Sequence, residues 1–460
     1  MQIDRRAVLA GLVGAAGAIG AGGWWLSRNG SSRPPNIVLI LTDDQGFNDV
    51  GCYYTADPDG LISKIETPRL DRMAAEGVRF TDFYVAASVC TPSRAAFMTG
   101  CYPPRVGFAD KAGGPGVFTP KSAAGLHADE TTIAEMLRTA GYATACVGKW
   151  HLGHQAPFLP TSQGFDGFYG IPYSNNQRPL PLMRDTETLR MLPDEPPLVG
   201  AFTKAAVTFM EQNKDGPFFL YLAHSAPHEP WAVKPEYRGS SARGLYGDVV
   251  ERIDWSVGQV LDAIARLGLE DDTVVLFASD NGPWAHPSKH QAGSSYPFRG
   301  AKAESLEGGV RSPFIVRWPG MVPAGQVRGG VSSALDLFPT FASLAGASLP
   351  TTPIDGHDIW PMISTGAKSP YEAFFYFARG RLEAIRSGPW KLMFENLLRK
   401  NSNNEVLFNL ERDPGEANDL LASEPEVAAR LRGLADEMRA DLGDGLRNVI
   451  GANRRPIGTL

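Results

Sequence analysis

Short apolar runs recur along the chain, and each of them ends abruptly in polar residues. The clearest runs lie at 37–41, 143–147, 218–222 and 274–278. Uninterrupted apolar runs of this length are typical of strands that are buried on both faces, as in a parallel sheet between helices. Residues 249–264 repeat with a helical period, and Thr132 with Glu135 forms a capping box before a segment that Gly141 can end. The alternation predicts an α/β domain built on a mainly parallel sheet sandwiched by helices.

The pattern changes after about residue 370. Short apolar runs separated by turn residues lie at 374–377, 381–386, 390–394 and 406–408, and a helix-period segment follows at 424–442. This pattern predicts a small antiparallel sheet with one packing helix. The expected organisation is therefore an α/β catalytic domain over 36–370 and a C-terminal α+β subdomain over 371–450.

The N-terminus carries a separate signal. Arg5 and Arg6 precede an uncharged, glycine-rich stretch over 7–26, which is typical of a twin-arginine export signal. Trp24 and Trp25 lie where an interfacial aromatic belt would lie, so a retained membrane anchor is the alternative. We expect residues 1–33 to direct the protein through the twin-arginine translocation machinery to the periplasm, with cleavage and anchoring both left open.

Composition narrows the class of protein further. The 44 basic and 50 acidic side chains give a formal charge of −6, which argues against a nucleic-acid partner because such proteins carry basic stripes. The 50 glycines and 36 prolines exceed the usual share and indicate a loop-rich enzyme. The 4 cysteines are too few for a disulfide scaffold, and a single bridge stays possible without an assignment.

Polar residues that follow separate parallel strands are expected to meet at one edge of the sheet. Asp43 and Asp44 follow the first run, and Asp280 and Asn281 follow the last. Such residues form either strand-end turns or a site for a hard cation such as Ca²⁺ or Mg²⁺, which prefer oxygen ligands. Lys149 and His151 follow the second run and point to the same side of an extended segment.

A cysteine lies where a helix is predicted to begin. The sequence Cys90-Thr91-Pro92-Ser93-Arg94 has proline at a first helical position, and the helix N-terminus favours negative charge. Arg94 lies one turn further along on the same face and could hold an anion. A small buried thiol before a helix is the alternative for a lone cysteine.

Several motifs occur together in a fixed order and carry a family resemblance. They are the Cys90–Arg94 sequence, Asp43-Asp44-Gln45-Gly46, Gly148-Lys149-Trp150-His151, Ala226-Pro227-His228, Ser279-Asp280-Asn281-Gly282, and Lys302 with Glu307-Gly308-Gly309. In this order they resemble the type I sulfatases, which are formylglycine-dependent and have the alkaline phosphatase-like fold. The resemblance spans about 36–420, and it implies hydrolysis of aryl or carbohydrate sulfate monoesters.

The resemblance also implies roles for single residues. Cys90 would be oxidised to formylglycine by a maturation enzyme and would complete a metal shell with Asp43, Asp44, Asp280 and Asn281, for which we favour one Ca²⁺ over Mg²⁺. The other implied catalytic residues are Arg94, Lys149, His151, His228 and Lys302. His228 fits the sulfate-binding position better than His224, because prolines flank it.

Two other functions remain as alternatives. A phosphodiester or phosphonate monoester hydrolase of the same superfamily uses similar ligands, and a non-catalytic glycan-binding relative would fit if Cys90 were unmodified. The substrate itself, a sulfated small molecule or a glycan, is not specified by any motif. Trp231 and Trp284 could stack on a substrate ring or could simply pack.

Overall fold

The computed structural model describes residues 33–108, 116–286, 291–395 and 404–460. The predicted export signal lies outside these residues, except at its last position, and stays a prediction. Within the described part of the chain, no helix combines the length and the apolar character needed to span a membrane.

One large sheet forms the centre of the fold. The strands in the first three quarters of the chain are β1 (Asn36–Thr42), β2 (Val78–Tyr84), β3 (Ala124–Gly125), β4 (Ala143–Lys149), β5 (Gly167–Ile171), β6 (Pro181–Arg184), β7 (Glu187–Met191), β8 (Phe218–Ala223), β9 (Thr273–Ser279), β10 (Arg311–Arg317), β11 (Gln326–Arg328) and β12 (Ser332–Ser333). They are ordered β11-β2-β10-β9-β1-β8-β4-β5-β6-β7, with β12 also beside β2, whereas β3 lies outside this sheet. The pairs from β9 through β5 are parallel, and β10, β6 and β7 pair antiparallel. The prediction of a mixed, mainly parallel sheet is confirmed.

Helices pack on both faces of this sheet. The α-helices of the described chain are α1 (Pro68–Ala75), α2 (Cys90–Thr99), α3 (Ile133–Thr139), α4 (Val199–Asn213), α5 (Gly244–Arg266), α6 (Glu307–Val310), α7 (Leu337–Ala345), α8 (Trp360–Thr365) and α9 (Pro425–Leu442). The predicted capping box opens α3, where the Thr132 side chain accepts from the Glu135 backbone, and Gly141 follows the helix at φ +87°. Helix α2 begins at Cys90, after the extended residue Val89, so the prediction that Cys90 lies at a helix N-terminus is confirmed.

The burial of β1 explains why its sequence shows no alternation. Ile37, Leu39 and Leu41 belong to one apolar core, while Val38 and Ile40 belong to the core on the opposite face. Every residue of the strand is buried. A strand that is covered on both faces needs apolar side chains at both its odd and its even positions, as the sequence pattern predicted.

The C-terminal part forms a second, smaller sheet. Its elements are β13 (Phe374–Ala378), β14 (Arg381–Ser387), β15 (Trp390–Met393) and β16 (Val406–Asn409), followed by the short strands β17 (Gly443–Asp444), β18 (Val449–Ile450) and β19 (Gly458–Thr459). Strands β13 to β16 are antiparallel neighbours in chain order, and α9 packs against them. The predicted antiparallel sheet with one helix is confirmed. The domain boundary near residue 370 stays a prediction, and β19 returns to pair with β3.

A buried lysine joins the small sheet to the segment that precedes β10. Lys391 on β15 is fully buried and contacts Glu307 at 3.0 Å and Glu416 at 2.7 Å. Its Nζ also donates to the backbone carbonyl of Ser305 at 2.8 Å. The C-terminal sheet therefore fixes the segment that follows Lys302.

Candidate active site

The predicted oxygen ligands meet at the carboxyl ends of β1 and β9. The two strands are parallel and in register, with Thr42 opposite Ser279, so the residues that follow them emerge side by side. The Asp44 backbone donates to the Asp280 carboxylate at 3.2 Å, and the Asn281 amide donates to Asp44 at 2.7 Å. All four residues, including Asp43, are buried.

The Cys90 side chain lies at the centre of this group. Its Sγ is 3.3 Å from the Asp43 carboxylate and 3.3 Å from the Lys302 Nζ. Burial, together with the negative charge of Asp43, raises the pKa of the Cys90 thiol to about 12. The thiol is therefore neutral near pH 7, and an unmodified Cys90 is a poor nucleophile. None of the four cysteines is in a disulfide.

Three buried cations pair with the three carboxylates. Arg94 Nε donates to Asp280 at 2.8 Å, Lys149 Nζ to Asp43 at 2.6 Å, and Lys302 Nζ lies 2.7 Å from an Asp44 oxygen. Burial alone would raise the pKa of Asp43, but these cations and His228 hold that pKa well below its ordinary value. Burial would lower the pKa of Lys302, but Cys90 and the carboxylates of Asp44 and Asp43 keep it raised.

The donor set fits a hard divalent cation. Single ligand atoms of Asp43, Asp44, Cys90 and Asp280 all lie within 4.8 Å of one another. The side-chain oxygen of Asn281 is buried and has no hydrogen-bond partner among the described residues, so it is free to act as a ligand. Burial and repulsion from Asp43 raise the pKa of Asp280 to about 7. Such crowding of carboxylates is what a bound cation relieves.

His151 is a neutral imidazole whose tautomer is fixed by one contact. Its Nε2 lies 2.9 Å from the backbone carbonyl of Phe118, and because a carbonyl only accepts, Nε2 carries the proton. The Nδ1 atom is buried and has no partner among the described residues. Burial, with the charge of Lys149, holds the pKa of His151 well below its ordinary value, so the ring is neutral.

The two candidate histidines after β8 lie in different surroundings. His228 Nε2 is 3.6 Å from Asp44, and its Nδ1 lies 2.6 Å from the Glu229 carbonyl and donates to it. His224 is fully buried, and its Nε2 contacts the Ser256 hydroxyl at 3.0 Å instead. The structure therefore brings His228 to the carboxylate cluster and leaves His224 in the packing between β8 and α5.

Ser174 belongs to this site, although the sequence analysis did not identify it. The Lys149 Nζ donates to its Oγ at 3.0 Å, and the His228 Nε2 lies 3.4 Å from the same oxygen. Ser174 follows β5 in a loop without a recognisable motif. The one available signal was a polar residue a few positions after a predicted strand, and many loops contain such a residue.

Comparison with known proteins identifies the family. Residues 35–347 match the sulfatase family, and residues 302–441 match the family described as N-sulphoglucosamine sulphohydrolase, C-terminal. The chain belongs to the sulfatase family. This sulfatase is 38% identical to arylsulfatase A of Homo sapiens over 457 residues, which cover 88% of this chain and 87% of the relative.

Further relatives support the same class of enzyme. The sulfatase is 37% identical to N-acetylgalactosamine-6-sulfatase of Sus scrofa over 454 residues, covering 88% of this chain and 85% of the relative. Its structure is similar to that of Ps i-CgsB in complex with k-i-k-neocarrahexaose, with a TM-score of 0.76, 30% identity, and coverage of 91% of this chain and 95% of that one. The protein is a hydrolase of sulfuric esters.

We predict that Asp280→Ala abolishes both metal binding and sulfatase activity. The change removes one of the three carboxylates that would hold the cation and takes from the buried Arg94 guanidinium its partner at 2.8 Å. Elemental analysis of the purified variant gives the metal-to-protein ratio, and circular dichroism checks that it is folded. Asp271→Ala, at an exposed residue just before β9, is the matched control and should keep both properties. A full complement of metal in an inactive Asp280→Ala protein would refute its role as a ligand.

Proposed function

We propose that this sulfatase hydrolyses sulfate monoesters through a formylglycine formed from Cys90, with a divalent cation beside it. The observation that carries this proposal is the position of the Cys90 side chain, 3.3 Å from both Asp43 and Lys302, between the carboxylates and the cations. A hydrated aldehyde at that position supplies a hydroxyl nucleophile, which the neutral thiol cannot. A formylglycine-generating maturation enzyme is thus an obligatory partner.

The cation would be held by Asp43, Asp44, Asp280 and Asn281. We propose Ca²⁺, because these ligands are oxygen atoms in a carboxylate-rich protein cage. The bound cation supplies electrostatic activation of the nucleophile and stabilises negative charge on the reacting group. Mg²⁺ is the less favoured ion, because it retains several water molecules and usually relies on substrate phosphates.

The cationic side chains stabilise the anionic sulfate. Lys149, Lys302 and Arg94 are fixed by the carboxylates they contact, so they need not reorganise when charge develops in the transition state. Ser174, held by Lys149, adds a hydroxyl donor beside them. We assign the binding of sulfate oxygens to Lys149 and Ser174 and the orientation of the position-90 side chain to Arg94.

Two residues move protons in this proposal. One hydroxyl of the hydrated aldehyde loses its proton and attacks sulfur, the bond from sulfur to the ester oxygen breaks, and the sulfate is left bonded to position 90. The unprotonated Nδ1 of His151 then accepts a proton from the second hydroxyl, which re-forms the aldehyde and expels sulfate. Lys302, kept protonated by Asp44, donates to the oxygen of the leaving alcohol, with His228 beside it. A serine in place of formylglycine would remain as a stable sulfate ester, which explains the need for the modification.

Sulfated carbohydrates and aryl sulfates are both substrate classes of the named relatives. Arylsulfatase A and N-acetylgalactosamine-6-sulfatase are similar over most of this chain, and the Ps i-CgsB structure contains a neocarrahexaose. We therefore propose a sulfated glycan or small sulfated molecule as the substrate. The phosphodiesterase alternative is not favoured, since these relatives are sulfatases.

Conversion of Cys90 to formylglycine is the first expected result. Mass spectrometry of the peptide that contains Cys90 should show loss of sulfur and gain of oxygen at that residue, whereas Cys146, buried in β4, should stay unmodified. Cys90→Ala should be folded and inactive because it lacks the aldehyde. Fully active enzyme that contains only unmodified Cys90 would contradict the proposed mechanism.

Lys302→Ala should slow alkyl or sugar sulfates far more than 4-nitrophenyl sulfate. A positioned acid contributes about 10²–10⁴-fold, and a nitrophenolate leaving group scarcely needs a proton. Steady-state kcat/KM on both esters measures the difference, and Lys234→Ala at an exposed lysine is the control. Equal losses on both esters would remove Lys302 from the acid role. Faster cleavage of a phosphate diester with the same leaving group would overturn the preference for sulfate.

We also propose export to the periplasm through the twin-arginine route, which carries folded proteins and would allow modification of Cys90 before export. Replacing Arg5 and Arg6 together by lysine should retain the sulfatase in the cytoplasm, because this route depends on the arginine pair. Cell fractionation with an activity assay measures the distribution, and Arg28→Lys serves as the control. Unchanged periplasmic activity in the double variant would count against this route.

A further inference from the structure

Trp284 lies close to Lys302 of the candidate site, with much of its side chain open to solvent. It is the one exposed tryptophan among the described residues, with 49% of its surface accessible. The Lys302 Nζ lies 5.7 Å from the centre of its indole ring, and the same Nζ contacts Cys90. The indole is therefore separated from the reacting position by a single side chain, on the side assigned to the leaving group.

The other tryptophan considered for this role packs into the protein. Trp231 lies edge-on to Tyr246, with ring centres 5.4 Å apart, and joins a small apolar cluster with Val250. It is only partly exposed. Packing accounts for Trp231, whereas Trp284 leaves about half of its surface in water and holds its indole close to Lys302.

The backbone holds Trp284 firmly in this position. The Pro283 carbonyl accepts from the Lys302 backbone at 2.9 Å, and Gly282 donates to Gly309 at 2.9 Å. A Cβ at Gly282 would lie 1.9 Å from the Gly308 carbonyl, so the close approach requires glycine. An aromatic surface on a fixed support loses little conformational entropy when a ring stacks on it.

Two amide oxygens near the histidines lack donors. The Asn175 amide nitrogen donates to the His228 carbonyl at 3.2 Å, and the Gln177 amide nitrogen donates to the Phe118 carbonyl at 2.9 Å. These bonds fix the orientation of both amides and leave their oxygens buried, without a partner among the described residues. Hydroxyl groups of a substrate can satisfy them, whereas an aryl ring offers no donor.

We infer that Trp284 determines specificity by stacking on the ring of a carbohydrate leaving group, whose hydroxyls pair with Asn175 and Gln177. The inference rests on the proposed function and adds the substrate class, a sulfated pyranose. The apolar face of the sugar covers the indole, and Lys302 then lies next to the ester oxygen that must be protonated.

The test compares three alkyl sulfates with leaving groups of similar basicity. The first is a hexose sulfate, chosen as the monosulfate of glucose or galactose that the wild type cleaves fastest. The second is cyclohexyl sulfate, which has a ring but no other hydroxyls, and the third is n-propyl sulfate, which has no ring. In Trp284→Ala, we expect KM to rise about tenfold for both ring substrates, which corresponds to about 1.4 kcal/mol. For n-propyl sulfate, KM and kcat should stay within about twofold of the wild type. Trp284→Phe should keep most of the affinity.

The same experiment separates the possible failures. If the wild type releases sulfate from none of the three esters, the proposed function fails first. If the wild type cleaves the esters but Trp284→Ala leaves KM for the two ring substrates unchanged, the stacking role is overturned. The stacking role is also overturned if Trp284→Ala lowers kcat for n-propyl sulfate as Lys302→Ala does. A wild-type KM no lower for the hexose than for cyclohexyl sulfate would overturn the carbohydrate assignment. Leu189→Ala, at an exposed leucine on β7, controls for loss of apolar surface.

Discussion

The balance of buried charge at the edge of the large sheet is the constraint on which the rest of the structure depends. Asp43, Asp44 and Asp280 are matched by Lys149, Lys302 and Arg94, and all six side chains are nearly or fully buried. Isolated charges at such depth would be unstable, so each group requires its partner. A divalent cation would add two positive charges to this cluster, and a sulfate monoester, with one negative charge, would offset part of them.

The balance is maintained by parts of the chain that are far apart in sequence. Parallel pairing places the ends of β1 and β9 side by side, and α2 presents Cys90 and Arg94 to them. The C-terminal sheet contributes indirectly, because Lys391 contacts the Ser305 carbonyl and Glu307, a few residues beyond Lys302. The small sheet thus supports the loop that carries the proposed acid.

The fold could be predicted closely because its signals are local. The apolar run of β1 serves two cores at once, and the capping box at Thr132 satisfies backbone donors within one turn. Strands β13, β14 and β15 are joined by short turns. The helix N-terminus at Cys90 was also predictable, because Pro92 in the first turn is a local signal.

For the site, the sequence by itself determined the candidate residues, since Asp43, Cys90 and Lys149 stand in motifs that resemble those of the sulfatases. The tertiary structure decided what no spacing encodes: that Ser174 joins Lys149, that His151 keeps its proton on Nε2, and that Trp284 rather than Trp231 faces solvent. The physical reason is that hydrogen-bond partners and exposure depend on strand register and loop packing between distant segments. Local patterns fix the helices and strands but not these contacts.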